Sequence, residues 1–88
     1  MKRISPRSTI DVAVTLSRGG RTSRAMMRDI SPDGASVSAQ FPPGSDETIS
    51  IARNGMSLAA RVVWARGKAF GIVFKPALDP EQIYAITG

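Results

Sequence analysis

A hairpin signal at Asn54-Gly55 constrains the fold of this chain more than any other feature. A two-residue type I′ turn needs a positive φ at both central residues, and Asn followed by Gly meets that need well. Counting outward from the turn pairs Ile51 with Leu58 and Ile49 with Ala60, all on one face. Because the turn and the apolar pattern give the same register, the sequence predicts an antiparallel hairpin with one buried face.

The returning strand of that hairpin keeps the same alternation beyond Ala60, through Val62 and Trp64. A period of two places alternate residues on one face of a strand. Both side chains are therefore predicted to point into the core, and Trp64 is interpreted as a core residue rather than a ligand contact.

Another hairpin is predicted nearer the N-terminus, where an alternating apolar run ends at Leu16 and is followed by Gly19-Gly20. The same register sets two like charges, Arg18 and Arg21, opposite each other, so we expect a longer or frayed loop. A two-residue loop would give three facing pairs: Val14 with Ala25, Val12 with Met27, and Asp11 with Arg28.

Two further runs complete the strand pattern, one over residues 35–39 and one with Phe70, Ile72 and Phe74 on a single face. The chain thus offers six short strands, each with one apolar face. This pattern predicts an all-β fold, a small six-stranded antiparallel β-barrel, because closure of the sheet removes its exposed edges.

A short C-terminal helix is predicted after the last strand. Asp79 can cap it, Pro80 suits its first position, and Gln82 completes a capping-box pattern. Ile83 and Ile86 are available to dock this helix on the β-structure. A chain of 88 residues has room for one domain. Its predicted parts are a flexible tail over residues 1–8, the barrel over residues 9–76 and the helix over residues 79–87.

The composition excludes several kinds of chemistry. Cys and His do not occur, so disulfides, Cys/His zinc sites and a nucleophile activated by His are excluded. The seven acidic residues form no convincing catalytic pair, and we expect neither an enzyme nor a metal or cofactor site. No apolar run follows Lys2 and Arg3 as it would in a signal peptide, and none approaches a membrane span. A cytoplasmic location without membrane insertion is therefore expected.

The chain is basic, with a formal charge of +5, and nine of its twelve basic residues are Arg. The guanidinium fork pairs bidentately with phosphates and with the edge of guanine. Either an anionic partner or a merely solvated surface would account for this bias. A cluster of four arginines surrounds the predicted N-terminal hairpin: Arg18, Arg21, Arg24 and Arg28. This cluster is either a solvated strand face or a surface that attracts anions, for example an acidic protein partner.

Two short constellations carry candidate binding residues. Arg3 and Arg7 are spaced R-x-x-x-R in the tail, where a solubilising basic segment is the simpler interpretation. Asp29, Ser31 and Gly34 are spaced D-x-S-x-x-G, and the segment 31–34 also fits a type I turn with Pro second and Gly fourth. Taken singly, the first could be a solubilising tail and the second an ordinary turn, so neither is enough to predict a binding site.

Together and in this order, the two constellations resemble the PilZ domain family of bacterial cyclic di-GMP receptors. The resemblance covers about residues 2 to 76 and extends to two further motifs, Val62-Val63-Trp64 and Gly71-Ile72-Val73-Phe74. It implies a PilZ-like barrel that binds cyclic di-GMP, orders its tail on the ligand and signals through a protein partner.

The resemblance also implies roles for individual residues. Arg3 and Arg7 would fold over the ligand and contact its guanines and phosphates. Asp29 and Ser31 would bond guanine from the barrel wall, and Gly34 would let the loop backbone approach without a clashing Cβ. Lys2 directly precedes the R-x-x-x-R motif, where a basic residue would favour a stacked pair of ligand molecules over a single one.

Two alternatives remain beside the receptor. One is a PilZ-like adaptor that binds only protein and no nucleotide. The other is a small basic barrel that binds RNA or single-stranded DNA, which usually exposes aromatic side chains for base stacking. Trp64, Phe70 and Phe74 fall in the core phase, and this disfavours the nucleic-acid alternative.

Overall fold

The computed structural model describes residues 8–88 and contains six strands that form a closed antiparallel barrel, followed by one helix. Around the barrel the strands follow the order β1-β2-β3-β6-β5-β4, and β4 pairs back with β1. The predicted barrel with its short C-terminal helix is confirmed, whereas Lys2, Arg3 and Arg7 lie outside the described residues. The elements are β1 (Ser8–Arg18), β2 (Arg21–Ile30), β3 (Gly34–Ala39), β4 (Thr48–Arg53), β5 (Met56–Arg66), β6 (Ala69–Phe74) and α1 (Pro80–Thr87).

The hairpin between β4 and β5 has the predicted register, with Ile51 opposite Leu58 and Ile49 opposite Ala60. Asn54 and Gly55 adopt φ values of 54° and 78°, as a type I′ turn requires. The four apolar side chains are buried. Turn chemistry and apolar alternation therefore act together to fix this half of the barrel.

A β-bulge in β5 reverses the predicted orientation of Trp64. The pairing of β5 with β6 shifts between Val62 and Trp64, so the strand gains one unpaired residue at this point. Val62 is fully buried, but the Trp64 side chain is 43% exposed on the outer face. The prediction that Trp64 belongs to the core is therefore wrong, because one extra residue turns every following side chain to the opposite face.

The hairpin between β1 and β2 has the predicted pairs Val12 with Met27 and Val14 with Ala25. Its loop is only Gly19-Gly20, with φ values of 55° and 83°, and the expectation of a longer loop is wrong. Arg18 does lie opposite Arg21. Their repulsion is relieved because the Arg18 guanidinium binds the Glu47 carboxylate at 2.9 Å and the Phe41 carbonyl at 3.2 Å.

The predicted pair of Asp11 and Arg28 is also present, although not as direct backbone partners. A register shift between Thr9 and Val12 interrupts the β1–β2 pairing at Asp11. Arg28 Nη1 nevertheless donates to Asp11 Oδ1 at 2.7 Å across the strands. Both side chains are exposed, so this pair orders the outer face more than it stabilises the fold.

Helix α1 begins with the predicted capping box. The Gln82 backbone N–H donates to Asp79 Oδ1 at 2.9 Å, and the Asp79 N–H donates to Gln82 Oε1 at 3.0 Å. The helix buries Ile86 completely, and Ile83 packs against the core cluster. Its last turn is fixed to the β4–β5 hairpin, because Arg53 and Asn54 donate to the carbonyls of Ile86 and Ala85.

The alternating strand directions divide the connections between two ends of the barrel. The helix end contains residues 31–33 between β2 and β3, the β4–β5 turn at residues 54–55, and α1. The distal end contains the β1–β2 turn at residues 19–20, residues 40–47 between β3 and β4, and the β5–β6 turn at residues 67–68. Asp29, Ser31 and Gly34 lie at the helix end, whereas Arg18 and Arg21 lie at the distal end.

Candidate binding site

The loop at residues 31–33 is closed by the two residues that flank it. Ser31 N–H donates to the Gly34 carbonyl at 2.8 Å. The Ser31 hydroxyl donates to the same carbonyl at 3.4 Å, and its oxygen accepts from the Gly34 N–H at 3.3 Å. In a hydrogen-bonded type I turn the Ser31 carbonyl would accept that last bond; here Ser31 Oγ accepts it instead. The type I geometry of this loop stays a prediction.

The same loop is tied to the elements that follow β6. Phe74 N–H donates to the Asp33 carbonyl at 2.9 Å, and Leu78 N–H donates to the Pro32 carbonyl at 2.8 Å. Leu78 is buried in the core immediately before α1. The loop is therefore fixed to β6 on one side and to the segment leading into α1 on the other, as a preorganised site requires.

Gly34 is required by the barrel itself. A Cβ at this position would overlap the carbonyl oxygen of Ile72 on the neighbouring strand β6. The backbones of β3 and β6 can approach this closely only because residue 34 has no side chain. The predicted reason for this glycine, a close approach of the ligand, remains a prediction beside this structural requirement.

Asp29 lies half-buried near the end of β2, just after a bulge that shifts the pairing with β3. Its Oδ1 accepts the backbone N–H of Ser36 at 3.0 Å. An N–H donor at this distance holds the carboxylate in one orientation. The neighbouring strand β3 thus helps to orient this side chain.

The start of β1 adjoins Asp29. Thr9 pairs with Asp29 and Ser8 pairs with Ile30, so the R-x-x-x-R segment joins the barrel directly beside this carboxylate. Arg7 is one peptide unit from Ser8, and a chain spans at most about 3.6 Å per residue. The covalent connection therefore keeps Arg3 within roughly 18 Å of Ser8.

A row of four facing residues crosses the outer wall from this carboxylate. Asp29 on β2 faces Ser36 on β3, Ser36 faces Gly71 on β6, and Gly71 faces Trp64 on β5. Neighbouring strands are about 4.8 Å apart, so the path from Asp29 to Trp64 around the curved wall is about 14 Å. The two residues stand three strands apart in a closed barrel of six. Asp33 and Gly34 flank this row, lining a small cavity of about 90 Å³ together with Trp64 and Gly71.

Trp64 belongs to this surface, although the alternating pattern of β5 predicted that it would lie in the core. Its indole covers Gly71, where a Cβ would overlap the indole Nε1. The available signal was the glycine in the middle of β6, since an aromatic side chain on one strand often covers a glycine on the next. The bulge that brings Trp64 to this face leaves no such mark in the sequence.

The described residues offer no metal centre: within residues 8–88 no group of three or more His, Cys, Asp or Glu side chains could hold a metal ion. In the same range no helix is long and apolar enough to cross a membrane. The candidate site thus consists of a fixed loop, one oriented carboxylate and one exposed indole on the outer wall of the barrel. These features can bind hydrogen-bond donors and aromatic rings.

The interior of the closed six-stranded barrel is filled by core side chains, so its candidate site lies on the outer wall. The PilZ domain model matches residues 1–87, which include the tail, the barrel and all of α1. The chain therefore belongs to the PilZ domain family.

The chain is also similar to a solved structure, the PlzA protein of Borreliella burgdorferi crystallised in complex with c-di-GMP. The two superpose with a TM-score of 0.74 at 18% sequence identity, over 97% of this chain and 39% of the PlzA chain. This chain thus spans well under half the length of PlzA, and at this identity the likeness shows the shared fold. A comparison with curated protein sequences finds no match.

Proposed function

We propose that this chain is a non-enzymatic receptor domain for cyclic di-GMP. The observation that carries the proposal is the position of Asp29, whose carboxylate is oriented by Ser36 N–H beside the strand that continues the R-x-x-x-R segment. Membership of the PilZ family and the ligand named for the PlzA complex support the identity of the ligand.

The chemistry of the ligand matches these side chains. Cyclic di-GMP has two guanines and two phosphates, and a guanidinium fork binds phosphate oxygens or the O6 and N7 atoms of guanine. The other edge of guanine presents N–H donors, for which the Asp29 carboxylate is an acceptor. Arg3 and Arg7 supply the forks from the tail, and Lys2 adds a charge next to them that would favour a second ligand molecule.

Ser31 and Gly34 contribute to this site mainly through the loop. The Ser31 side chain is 5% exposed and is bonded to both polar backbone atoms of Gly34. A hydroxyl has two acceptor lone pairs, so one remains for the predicted bond to a guanine donor. Because the residue is buried, we propose that its larger contribution is to hold the backbone between Asp29 and Gly34 in place.

Trp64 extends the proposed site to the far end of the row. Its exposed indole lies about 14 Å from Asp29 along the curved wall, and a cyclic dinucleotide carries two purines that can stack. We propose that one guanine is bonded by Asp29 while the other part of the ligand extends along the wall towards the indole. Stacking of a base on an aromatic side chain contributes about 1–3 kcal/mol.

The signalling step follows from the same arrangement. A tail that becomes ordered when Arg3 and Arg7 bind phosphate and guanine lowers the affinity by its ordering cost, but it creates a surface that the free protein does not present. We propose that a protein partner recognises this surface. An adaptor that binds only protein is the alternative, and it needs no ligand at all.

Calorimetric titration with cyclic di-GMP tests the proposal. We expect micromolar or tighter binding, with the affinity lowered about tenfold or more by Arg3→Ala and by Arg7→Ala, because each removes charge-assisted hydrogen bonds. Arg21→Ala is the matched control, since Arg21 is an exposed arginine at the distal end, eight residues along β2 from Asp29. A folded protein that gives no heat at saturating ligand would overturn the receptor and favour the adaptor.

A further inference from the structure

The distal end of the barrel has a cavity that the proposed ligand site does not use. It has a volume of about 640 Å³ and lies between the β1–β2 hairpin and the residue 40–48 segment. Arg21 and Asp29 are eight residues apart on β2, which places this cavity about 26 Å along the strand from the site at the helix end. Its wall includes Arg18, Arg21, Phe41 and Glu47.

Phe41 gives this cavity an apolar wall. Its side chain is 73% exposed, and it stands on a segment whose backbone is fixed, because Arg18 Nη1 donates to the Phe41 carbonyl at 3.2 Å. Gly44 N–H also donates to Glu47 Oε2 at 2.7 Å, which closes the same segment on itself. The aromatic ring is therefore held in solvent by a fixed backbone, where it is available to a partner.

The charge at the distal end is strongly positive. The single acidic side chain on the cavity wall, Glu47, is already neutralised by Arg18 at 2.9 Å. Its neighbour Asp46 is paired with Arg61 at 3.0 Å. Four exposed cations of this end have no ion pair among residues 8–88: Arg21, Arg24, Arg66 and Lys68.

Two of those cations border a groove beside the cavity. Arg24 and Lys68 line an outer groove that has Ala13 and Met26 in its wall, so cations again adjoin apolar side chains. Arginines next to an exposed aromatic ring are the composition typical of the energetically important part of protein–protein interfaces. A partner with acidic and apolar side chains in one segment complements both features.

We propose that the distal end binds an acidic segment of a partner protein, with an apolar side chain against Phe41 and carboxylates at Arg21, Arg24 and Lys68. A nucleic acid fits less well, because it needs several aromatic stacking platforms and the cavity wall has one aromatic ring, Phe41. The wall also carries a carboxylate, Glu47. The proposal goes beyond the receptor function, since the cavity that carries it is lined by none of the residues of the proposed ligand site.

A defined peptide probe tests this surface. The probe is a short fluorescein-labelled peptide of Glu and Asp around one Leu and one Phe, and its control replaces the acidic residues by Gln and Asn. Fluorescence anisotropy should show binding of the acidic peptide and about tenfold weaker binding of the control. Amide NMR shifts should concentrate at Gly19, Phe41 and Thr48 and leave Ser36 unchanged.

Matched variants separate the surface from general electrostatics. Arg21→Glu should weaken the acidic peptide about tenfold, and Phe41→Ala should weaken it by a similar factor. Lys75→Glu makes the same change of charge at an exposed residue beyond β6, outside this surface, and should have little effect. Circular dichroism checks that each variant folds. If Arg21→Glu does not fold, Arg24→Glu takes its place.

Three results would overturn the proposal. One is an equal loss with Lys75→Glu, which would show charge attraction without a site. Another is equal binding of the neutral peptide. The third is tighter Arg21-dependent binding of a deoxythymidine oligonucleotide or of phosphatidylserine vesicles, which would assign the surface to another polyanion. Cyclic di-GMP titration of the same variants is an independent measurement, so failure here leaves the receptor proposal untouched.

Discussion

The indole of Trp64 on β5 covers the Cα of Gly71 on β6, and Gly71 cannot gain a side chain without displacing the indole. The pair lies at the end of the row that begins at Asp29, so a packing relationship between two strands also forms part of the proposed ligand surface. Because the two residues serve both the fold and the site, substitutions must separate stability from binding.

Gly71→Ala should destabilise the barrel. The added Cβ overlaps the indole, and overpacking of this kind costs typically about 1–3 kcal/mol of unfolding free energy. Urea denaturation measures the loss. In a Trp64→Ala background the same glycine substitution should cost much less, because the overlapping ring is gone. Gly44→Ala, whose Cβ would meet only ordinary contact with Glu47, is the control. Equal costs at Gly44 and Gly71 would contradict the packing explanation.

Trp64→Ala should weaken cyclic di-GMP while the domain remains folded. Loss of a stacking surface predicts a decrease of about 1–3 kcal/mol in binding free energy, and Trp64→Phe should retain part of it. Calorimetry gives the affinity, and indole fluorescence of the unsubstituted protein should change on ligand addition. Tyr84→Ala removes another exposed ring, on α1, and should not alter binding. Unchanged affinity in Trp64→Ala would remove the indole from the proposed site.

Asp29→Asn and Asp29→Ala should divide the two roles of this carboxylate. Asn retains an oxygen for the Ser36 N–H, so stability should hardly change, but its neutral amide is a weaker acceptor for guanine donors. Ala leaves that N–H unbonded and should also cost about 1 kcal/mol of stability. Both variants should lower ligand affinity about tenfold or more, whereas Asp46→Asn should not. Full affinity in Asp29→Asn would exclude an ionic role.

Ser31→Ala should affect stability more than direct ligand contact. Removing the hydroxyl leaves the buried Gly34 N–H without its oxygen acceptor, which costs about 1–3 kcal/mol. If Ser31 acts through the loop, the amide NMR signals of Gly34 and Leu78 should shift in the free protein before any ligand is added. Ser57→Ala, at an exposed position of β5, provides the comparison. Loss of affinity with no change in those signals would instead indicate a direct guanine bond.

Asp79→Ala should loosen α1. The substitution removes the acceptor for the Gln82 N–H, and loss of an N-cap side chain costs typically about 1 kcal/mol. Thermal unfolding should show the decrease, and hydrogen exchange should be faster in the helix than in the strands. Glu81→Ala removes an exposed acidic residue of the same first turn without touching the capping box. A similar loss from both substitutions would point to the helix dipole instead of the cap.

The parts of the fold that could be predicted are those that local chemistry determines. Asn54-Gly55 accepts positive φ at both turn positions, and its register agrees with the apolar alternation, so no distant information was needed. The capping box of α1 likewise depends on Asp79 and Gln82 alone. In both cases the residues that specify the geometry are close neighbours in the chain.

The features that escaped prediction depend on neighbours distant in sequence. The bulge before Trp64 arises in the pairing of β5 with β6, and no Gly or Pro marks it. Arg18 tolerates Arg21 opposite it because Glu47, far along the chain, accepts its guanidinium. The requirement for glycine at position 34 also comes from a distant residue, because a Cβ there would overlap the Ile72 carbonyl. The spacing of Asp29, Ser31 and Gly34 marked them as candidate residues. Their structural contacts, however, depend on strands and loops that the spacing does not show.

The bond from Leu78 N–H to the Pro32 carbonyl gives the protein a built-in reporter. That amide can exchange with deuterated solvent only when the loop separates from the segment leading into α1. Its exchange rate therefore measures the stiffness of the loop from a position that the ligand need not touch. The signal requires neither a dye nor a substitution, and it distinguishes a ligand that rigidifies the loop from one that merely occupies the wall beside it.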